Sequence, residues 1–293
     1  MKALVKKILG KRLSSKMGRF LKNRKLQKLK SIPFTVDDLV FVLKDICKVK
    51  EGDVLFVHSS VENLAVGIPP HKIIEVLFDI IGPEGTILMP SYPKLLSYDF
   101  LKSGEIWDVR NTPSYTGILT EIFRRMGDVK RSLHPTKSVA ACGPLRDYLI
   151  SEHHTNIRPY SEKSPYFKFI RSKGKAIGLG VSAHYLSLVH TIDDYLGDDF
   201  PVEVYHREIF DAKVIDYGGN EIIVRTLAHN SEKMKHNIPR FIRRFLSKEQ
   251  GDSFTYKGRD FFYVDSEAFF NTGVELAKRG ITIYSRKAYK SKD

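Results

Sequence analysis

A histidine followed three positions later by an aspartate is the pattern in this sequence best suited to moving a proton. His190 and Asp193 lie in the stretch 185–196, whose apolar spacing predicts a helix, and side chains three positions apart share one face of a helix. Imidazole accepts a proton near neutral pH, and a carboxylate beside it can orient the ring and stabilise its charged form. The pair therefore predicts a general base.

An acidic run continues from the same helix. Asp193, Asp194, Asp198, Asp199 and Glu203 place five carboxylates within eleven residues. We interpret Asp194 and Asp198 as a substrate-binding rim, because acids beside a histidine suit a substrate that arrives as an ammonium ion. The alternative is a run of acids that caps a helix and solvates a loop.

Two further segments carry small or polar side chains next to predicted strands. His58, Ser59 and Ser60 follow a buried strand, and ligands of open α/β sheets bind at the carboxyl ends of strands. The segment 131–141 has a His-Pro pair at His134, followed by small residues that permit the close approach of another group. For both segments a structural alternative stays open, either a helix cap or a histidine held by the backbone.

Two loops, 107–114 and 159–165, are rich in proline and short polar side chains. Trp107, the single tryptophan of the chain, opens the first loop, and we assign it to substrate contact. Both loops could instead be rigid connections without a chemical role.

Apolar runs alternate with amphipathic stretches and set the expected architecture. We predict an antiparallel hairpin over 214–224, around a glycine-rich turn, together with strands over 54–57, 86–89, 138–142, 176–181 and 261–264 and helices over 35–47, 73–81, 116–126, 164–174, 185–196, 231–245 and 266–279. The alternation predicts a layered α/β/α core with a mostly parallel or mixed sheet. Residues 33–293 are expected to form one domain, with 200–293 as an added subdomain that contains the hairpin.

The net charge of +14 belongs to the N-terminal segment. Residues 1–30 hold twelve lysines and arginines and no acid, so the remainder of the chain is nearly neutral. Apolar residues recur there at helical spacing, which predicts a basic amphipathic tail over 1–32. Such a tail suits an anionic membrane surface, or it packs its apolar stripe on the body. Because the body has no matching basic patch, we expect no nucleic-acid partner.

Composition also bounds the compartment and the chemistry. No run approaches the ~20 apolar residues of a membrane span, and the N-terminus lacks a signal-peptide pattern. Two distant cysteines, Cys47 and Cys142, indicate a reduced, cytoplasmic protein. Cys142 has no cationic neighbour before Arg146, so we expect a buried, inert thiol and no covalent acyl intermediate. His153-His154 lacks a third ligand at useful spacing, and we expect no metal.

In their order and spacing, these segments resemble the aminoglycoside 3-N-acetyltransferase family over about residues 50–275. The most specific match is the Arg-Ser-x-His-Pro-x-x-Ser pattern followed by small residues and glycine, from Arg131 through Gly143. The other matches are individually short: His58-Ser59-Ser60, Gly85-Thr86, Met89-Pro90, Thr112-Pro113 with Gly117, Ser164-Pro165, Leu179-Gly180-Val181, and His190 with Asp193.

The resemblance implies acetyl-CoA as the donor, a primary amine on a sugar as the acceptor, and direct transfer in a ternary complex. His190 would remove the proton from the sugar nitrogen, supported by Asp193, while His134 would be the alternative base or would fix the loop that bears Ser138. Hydroxyl donors for the thioester oxygen would come from Ser59, Ser60 or Ser138. We place the cofactor against His58, Ser59, Ser60, Ser138 and Val139.

Two features depart from the family pattern and bear on the acceptor. Ser187 and Asp193 stand where family members usually carry threonine and glutamate, and the basic tail is foreign to the antibiotic-modifying members. A nearly neutral body fits an anionic acceptor better than a polycation. We therefore expect a nucleotide- or lipid-linked amino sugar of surface-polysaccharide synthesis, handled at the inner membrane face, with an aminoglycoside as the alternative.

Two other function classes remain as alternatives, and the oligomeric state stays open. A serine hydrolase would use Ser59 or Ser138, but neither lies in a Gly-x-Ser-x-Gly elbow. A non-catalytic polyanion-binding protein would act through the tail alone.

Overall fold

The main sheet of the computed structural model, which describes residues 17–285 other than Arg19, Val66 and Lys235, has seven strands. They are β1 (Val54–Ser59), β2 (Thr86–Pro90), β4 (Lys130–Arg131), β5 (Val139–Cys142), β6 (Lys175–Leu179), β9 (Gly251–Tyr256) and β10 (Arg259–Asp265), in the spatial order β4-β5-β2-β1-β6-β10-β9. β1 pairs in parallel with β2 and β6, and the outer pairings are antiparallel. The predicted α/β class with a mixed sheet is confirmed.

Helices cover both faces of this sheet. They are α1 (20–30), α2 (Val36–Phe41) with a π-helical extension (Val42–Ile46), α3 (Val61–Leu64), α4 (Pro70–Ile81), α5 (Ser97–Ser103), α6 (Ile118–Phe123), α7 (Arg146–Ile150), α8 (Pro165–Arg171), α9 (His190–Leu196), α10 (Ile238–Phe245) and α11 (Ser266–Lys278). Along β1, Phe56 belongs to one apolar core while Leu55 and Val57 belong to the other. Because successive side chains of a strand point to opposite faces, β1 is buried on both sides and reads as a continuous apolar run.

The carboxyl ends of β1, β2 and β6 meet at one edge of the sheet, since the three strands are parallel. At this edge, the backbone segments that follow β1 and β6 pass very close to each other. Gly180 has a φ of +70°, and a Cβ atom at this position would lie 2.5 Å from the carbonyl oxygen of Ser60. Only glycine fits that backbone and that approach. The segment after β6 leads from this edge through two 3₁₀ turns, Ala183–Tyr185 and Ser187–Val189, into α9.

A second sheet of three strands lies beside the first. β3 (Trp107–Asp108) pairs in parallel with β7 (Tyr205–Ile215), which forms an antiparallel hairpin with β8 (Glu221–His229). The predicted hairpin is therefore present, with longer strands than expected. The predicted subdomain boundary at residue 200 is corrected: β9 and β10 lie beyond it and complete the main sheet.

Two predicted helices begin later than the apolar pattern indicated. The helix expected over 231–245 starts at Ile238, where the Asn237 side chain accepts a hydrogen bond from the backbone N–H of Arg240 and Pro239 occupies the first turn. The helix expected over 185–196 is α-helical from His190 onward, after the 3₁₀ turns. Within the described ranges, no helix combines the length and apolar character needed to cross a bilayer.

The end of the basic tail contacts the body. Leu29 is buried, and the Arg259 guanidinium donates to the carbonyl oxygens of Leu29 (2.9 Å) and Ile32 (2.8 Å). By contrast, the apolar side chains at the start of this helix, Phe20 and Leu21, are exposed. The first half of the predicted amphipathic stripe, over 1–16, lies outside the described residues.

Candidate active site

His190 and Asp193 form a hydrogen-bonded pair at the start of α9. Their spacing of three residues puts both side chains on one helical face, as predicted, and His190 Nδ1 lies 3.0 Å from Asp193 Oδ2. A carboxylate accepts hydrogen bonds, so in the neutral ring Nδ1 carries the hydrogen and Nε2 holds a lone pair. Nε2 has no hydrogen-bond partner among the described residues, and the imidazole keeps 11% of its surface exposed. The ring therefore presents a basic nitrogen to an incoming ligand.

Tyr284 holds the carboxylate of this pair from the C-terminal side. Its hydroxyl donates to Asp193 Oδ2 at 3.1 Å and lies 3.4 Å from His190 Nδ1. Burial raises the pKa of Tyr284 well above its usual range, so the hydroxyl remains a donor. Asp193 is thus fixed by two donors while its own burial keeps solvent away.

Aromatic rings enclose His190 on the side of β8. The centroid of the His190 ring lies 4.3 Å from that of His229 and 5.0 Å from that of Tyr160, and Tyr205 stacks on His229 at 4.5 Å. Burial lowers the pKa of His229 well below its usual range, with further contributions from His190 and Lys137. His229 is therefore neutral, and its Nε2 is buried without a hydrogen-bond partner among the described residues.

Three hydroxyl groups extend the site toward β2. The Tyr92 hydroxyl donates to Ser187 Oγ at 3.0 Å and lies 2.7 Å from the Tyr166 hydroxyl. Ser187 comes one helical turn before His190, so this chain of hydroxyls borders the imidazole. Its members are held by the loop after β2, the start of α8 and the second 3₁₀ turn.

The predicted acidic rim is corrected by burial and pairing. Asp194 is buried, its Oδ2 accepts the backbone N–H of Tyr160 at 2.7 Å, and its Oδ1 lies 3.8 Å from a nitrogen of Arg158. Burial raises the pKa of Asp194 to about 7. Asp198 is exposed and forms an ion pair with Arg158 at 3.0 Å. Asp194 braces the loop that carries Tyr160, and its Oδ1 is buried without a hydrogen-bond partner among the described residues.

Both ring nitrogens of His134 have hydrogen-bond partners, which corrects its assignment as a base, whereas the Thr136 hydroxyl beside it is buried without a partner among the described residues. His134 is fully buried; Nδ1 accepts the backbone N–H groups of Thr136 (3.3 Å) and Lys137 (3.1 Å), and Nε2 lies 3.2 Å from the Thr226 hydroxyl. Its pKa lies well below the usual range, chiefly because of desolvation. The geometry matches the alternative considered for His134, a residue that fixes its own loop.

Ser138 and Val139 are held within the same loop. The Ser138 hydroxyl donates to the Ser132 carbonyl at 2.8 Å, and the Val139 N–H donates to the Ser132 hydroxyl at 3.0 Å. Both groups predicted to face the cofactor are thus used internally.

Arg131 ties this loop to the segment 108–112. Its guanidinium is buried and donates to the carbonyl oxygens of Val109 (2.6 Å), Thr112 (2.8 Å) and Asp108 (3.0 Å). The same guanidinium lies 4.8 Å above the Trp107 ring. Trp107 is fully buried in the core beneath the second sheet, so its predicted contact with substrate is corrected to a packing role.

At the end of β1, the three residues predicted to contact the cofactor, His58, Ser59 and Ser60, have different environments. His58 is buried against Phe56 and Phe262, and burial lowers its pKa to about 3, so this ring is a core residue and not a cofactor contact. Ser60 caps α3 by accepting the N–H of Asn63 at 3.2 Å. The Ser59 hydroxyl, at the carboxyl end of β1, is buried without a partner among the described residues, as is Nε2 of His58. The hydroxyl remains available to a ligand.

A metal ion is the other ligand that the central cluster suits. His190, Asp193 and His229 each offer one ligand atom, and these atoms lie within 4.8 Å of one another. A metal bound through His190 would compete with proton uptake by that ring. The expectation of catalysis without a metal stays a prediction.

Cys142 lies on β5 and is only partly buried, contrary to the prediction of a buried thiol. Burial, with the charge of Asp128, raises its pKa. The thiol is therefore protonated at neutral pH, as an inert cysteine requires.

Sequence patterns missed four residues that surround His190. Tyr160, Tyr205, His229 and Tyr284 come from distant parts of the chain, and a single tyrosine or histidine carries no local signal of its partners. Only the placement of Tyr160 in a proline-bounded loop hinted at a fixed position.

Comparisons with known proteins agree with this architecture. The family model described as aminoglycoside 3-N-acetyltransferase matches residues 56–278. Aminoglycoside N(3)-acetyltransferase IX of Micromonospora chalcea is 28% identical over 156 residues, which cover 48% of this chain and 55% of that protein. The chain spans about half the length of the curated relatives it matches.

Solved structures of the same fold cover more of the chain. The aminoglycoside acetyltransferase AAC(3)-Xa superposes with a TM-score of 0.73 at 19% identity, over 90% of this chain and 99% of that one. AAC-IIIb, in its binary complex with CoASH, gives a TM-score of 0.70 at 20% identity, over 85% and 98% of the two chains. The family match runs from β1 to the end of α11 and confirms the resemblance seen in the motifs: the chain belongs to the aminoglycoside 3-N-acetyltransferase family.

Proposed function

We propose that the protein transfers an acetyl group from acetyl-CoA to a primary amine on a sugar. The observation that carries the proposal is the geometry of His190, whose Nδ1 is paired with a buried carboxylate while Nε2 has no partner among the described residues. This is the arrangement a general base needs, and the family membership supplies the reaction class.

The proposed mechanism is a direct transfer. The sugar ammonium loses a proton to His190 Nε2, and its nitrogen then attacks the thioester carbonyl carbon. Asp193, held by Tyr284, stabilises the imidazolium that forms. As the new C–N bond forms, the C–S bond breaks, and the proton on the imidazolium passes to the departing thiolate. The nitrogen releases its second proton to solvent, so the products are the amide, the CoA thiol and one proton. General acid–base catalysis by a positioned side chain typically accelerates a reaction about 10²- to 10⁴-fold.

Coenzyme A is the proposed donor because a relative of the same fold was solved with CoASH. The carbonyl oxygen of the thioester becomes anionic during attack and requires hydrogen-bond donors. Of the three serines predicted for this role, Ser59 is the one whose hydroxyl has no partner within the described ranges. We therefore retain Ser59 as the candidate donor.

Two acceptor classes are supported by different observations. The names of the relatives favour an aminoglycoside. The charge distribution favours an amino sugar that carries an anionic group, such as a nucleotide-linked sugar of polysaccharide synthesis, because the chain outside the basic tail is nearly neutral and Asp198 is paired with Arg158.

The experiment that tests the function is release of the CoA thiol from acetyl-CoA in the presence of each acceptor class, with the product identified by mass spectrometry. We expect an N-acetylated sugar and one equivalent of thiol. Turnover with aminoglycosides and none with any nucleotide-linked amino sugar would remove the second acceptor class. An absence of thiol release with every amine would contradict the proposed activity.

We also propose that the tail docks on an anionic membrane surface. The exposed side chains of Phe20 and Leu21, within a segment that carries twelve basic residues and no acid, support this. The full chain should float with phosphatidylglycerol vesicles and not with phosphatidylcholine vesicles. The double variant Phe20→Ser, Leu21→Ser should bind less. Equal flotation of both proteins, or no flotation with either lipid, would contradict the proposal.

A further inference from the structure

Lys137 is a partly buried lysine whose backbone is held on both sides. It lies in the loop before β5, where its N–H donates to His134 Nδ1 at 3.1 Å and its carbonyl oxygen accepts the Tyr166 hydroxyl at 3.1 Å. The ammonium lies 5.0 Å from the centroid of the Tyr92 ring. His134 and Tyr166 therefore fix the backbone of Lys137, and the face of the Tyr92 ring packs against its ammonium.

The charge of Lys137 is not balanced by an acid. Among the described residues, no carboxylate forms an ion pair with its ammonium, and no side chain or carbonyl accepts a hydrogen bond from it. Desolvation lowers its pKa to about 8, and no acidic group opposes this shift. The side chain keeps some contact with solvent, so a ligand can reach the ammonium, and a partly desolvated charge without an acid beside it favours an anionic ligand.

Through Tyr92, the unpaired ammonium borders the side chains around His190, namely Tyr92, Ser187 and His229, a group that we call the chamber. The ring that supports it, Tyr92, donates to Ser187 Oγ at 3.0 Å, one turn before His190. The positive charge of Lys137 also contributes to lowering the pKa of His229, whose ring lies 4.3 Å from that of His190. An anion bound at Lys137 would therefore lie close to the reacting amine.

We propose that Lys137 binds a carboxylate or phosphate group of the acceptor sugar while His190 faces its amine. The inference rests on the proposed acetyl transfer and specifies its acceptor: an amino sugar with an anionic substituent. The phosphates of coenzyme A are a second source of the same chemistry. They are separated from the thiol by the long pantetheine arm, so with the thioester beside His190 they lie away from this chamber.

The test uses glucosamine and glucosamine 6-phosphate, which differ by one phosphate, and the nearly isosteric variant Lys137→Met. Lys44→Met is the matched control, because Lys44 is exposed on the π-helical segment that packs on the opposite core. Affinities for both sugars and for CoA are measured by titration calorimetry, and turnover by thiol release. Thermal unfolding verifies that each variant is folded.

Wild type and Lys44→Met should bind the phosphorylated sugar about 10- to 100-fold more tightly than glucosamine, the effect of one charge-assisted hydrogen bond. Lys137→Met should lose this preference and keep its affinity for glucosamine and CoA. Equal affinities in the wild type, an unchanged preference in Lys137→Met, or a loss confined to CoA would each overturn the proposal. If the preference depends on Lys137 but no amine yields thiol release, the anion site stands and the proposed transfer fails.

Discussion

The two histidine segments of this protein, 131–139 and 187–193, have opposite designs. In 131–139, both nitrogens of His134 and the hydroxyls of Ser132 and Ser138 are satisfied by neighbouring groups. In 187–193, one nitrogen of His190 is paired and the other is open. The first segment is built to be rigid, and the second is built to exchange a proton.

The difference shows that the most recognisable motif and the most reactive residue need not coincide. The Arg-Ser-x-His-Pro pattern is specific because its side chains form many hydrogen bonds at the same time. Arg131 donates to several carbonyl oxygens, and His134 accepts a backbone N–H. A base needs only one oriented ring, which a short and weak pattern can encode.

Replacing His190 tests the reactive side of the comparison and should have the largest effect. We expect His190→Gln to lower kcat by about 10²- to 10⁴-fold while the melting temperature stays close to that of the wild type, because the ring is lost as a base and not as a core residue. His71→Gln, at an exposed position on α4, is the control with the same chemical change. Comparable turnover in both variants would remove His190 from the mechanism.

Replacing Arg131 tests the rigid side. Arg131→Met should lower the free energy of unfolding by about 3–5 kcal/mol, because three carbonyl oxygens lose charge-assisted hydrogen bonds in a buried place. Urea titration measures this loss. The kcat of the folded fraction should remain within a few-fold of the wild type. A stable variant with little activity would reverse the roles assigned to the two segments.

Asp193 and Asp194 are adjacent on α9 but have different roles, because Asp193 pairs with His190 whereas Asp194 is buried against the backbone of Tyr160. The buried Asp194 predicts that the stability of the protein depends on pH. Burial raises the pKa of Asp194 from 3.8 to about 7, so between these values the native state holds a proton that the unfolded chain has lost. Stability should therefore fall as pH rises from about 4 to 7, by about 4 kcal/mol at most from this group. Asp194→Asn should flatten that slope in urea titrations at several pH values. An unchanged slope would contradict the raised pKa.

The smallest effect is expected at Cys142, on the strand that follows the rigid segment. Because the raised pKa keeps the thiol protonated at neutral pH, Cys142→Ser should leave kcat within about twofold of the wild type. A burst of thiol release lost in this variant, seen in rapid-quench kinetics, would instead indicate a covalent acyl intermediate.

Local patterns in the sequence predicted the central strands and the His190–Asp193 pair. β1, β2 and β6 are continuous apolar runs because both faces of the sheet are covered, and a spacing of three residues determines which helical side chains meet. The edge strand β9, with the sequence Gly-Asp-Ser-Phe-Thr-Tyr, is only half buried and lacks such a run. It was missed for that reason.

The remaining site residues depend on contacts between distant segments. Nothing local to Tyr284 or His229 indicates that they adjoin α9, and nothing local to Asp194 or Trp107 indicates burial. The acidic run after His190 suggested an exposed rim because composition cannot distinguish a solvated carboxylate from one that braces a loop.

A crystal structure of the protein with coenzyme A tests the central claim most directly. We predict that the thiol sulfur lies in the chamber bounded by His190, Tyr92 and His229, with the imidazole Nε2 facing the position of the acceptor nitrogen. A sulfur atom on another face of the molecule, with that chamber empty of the pantetheine end, would contradict the account.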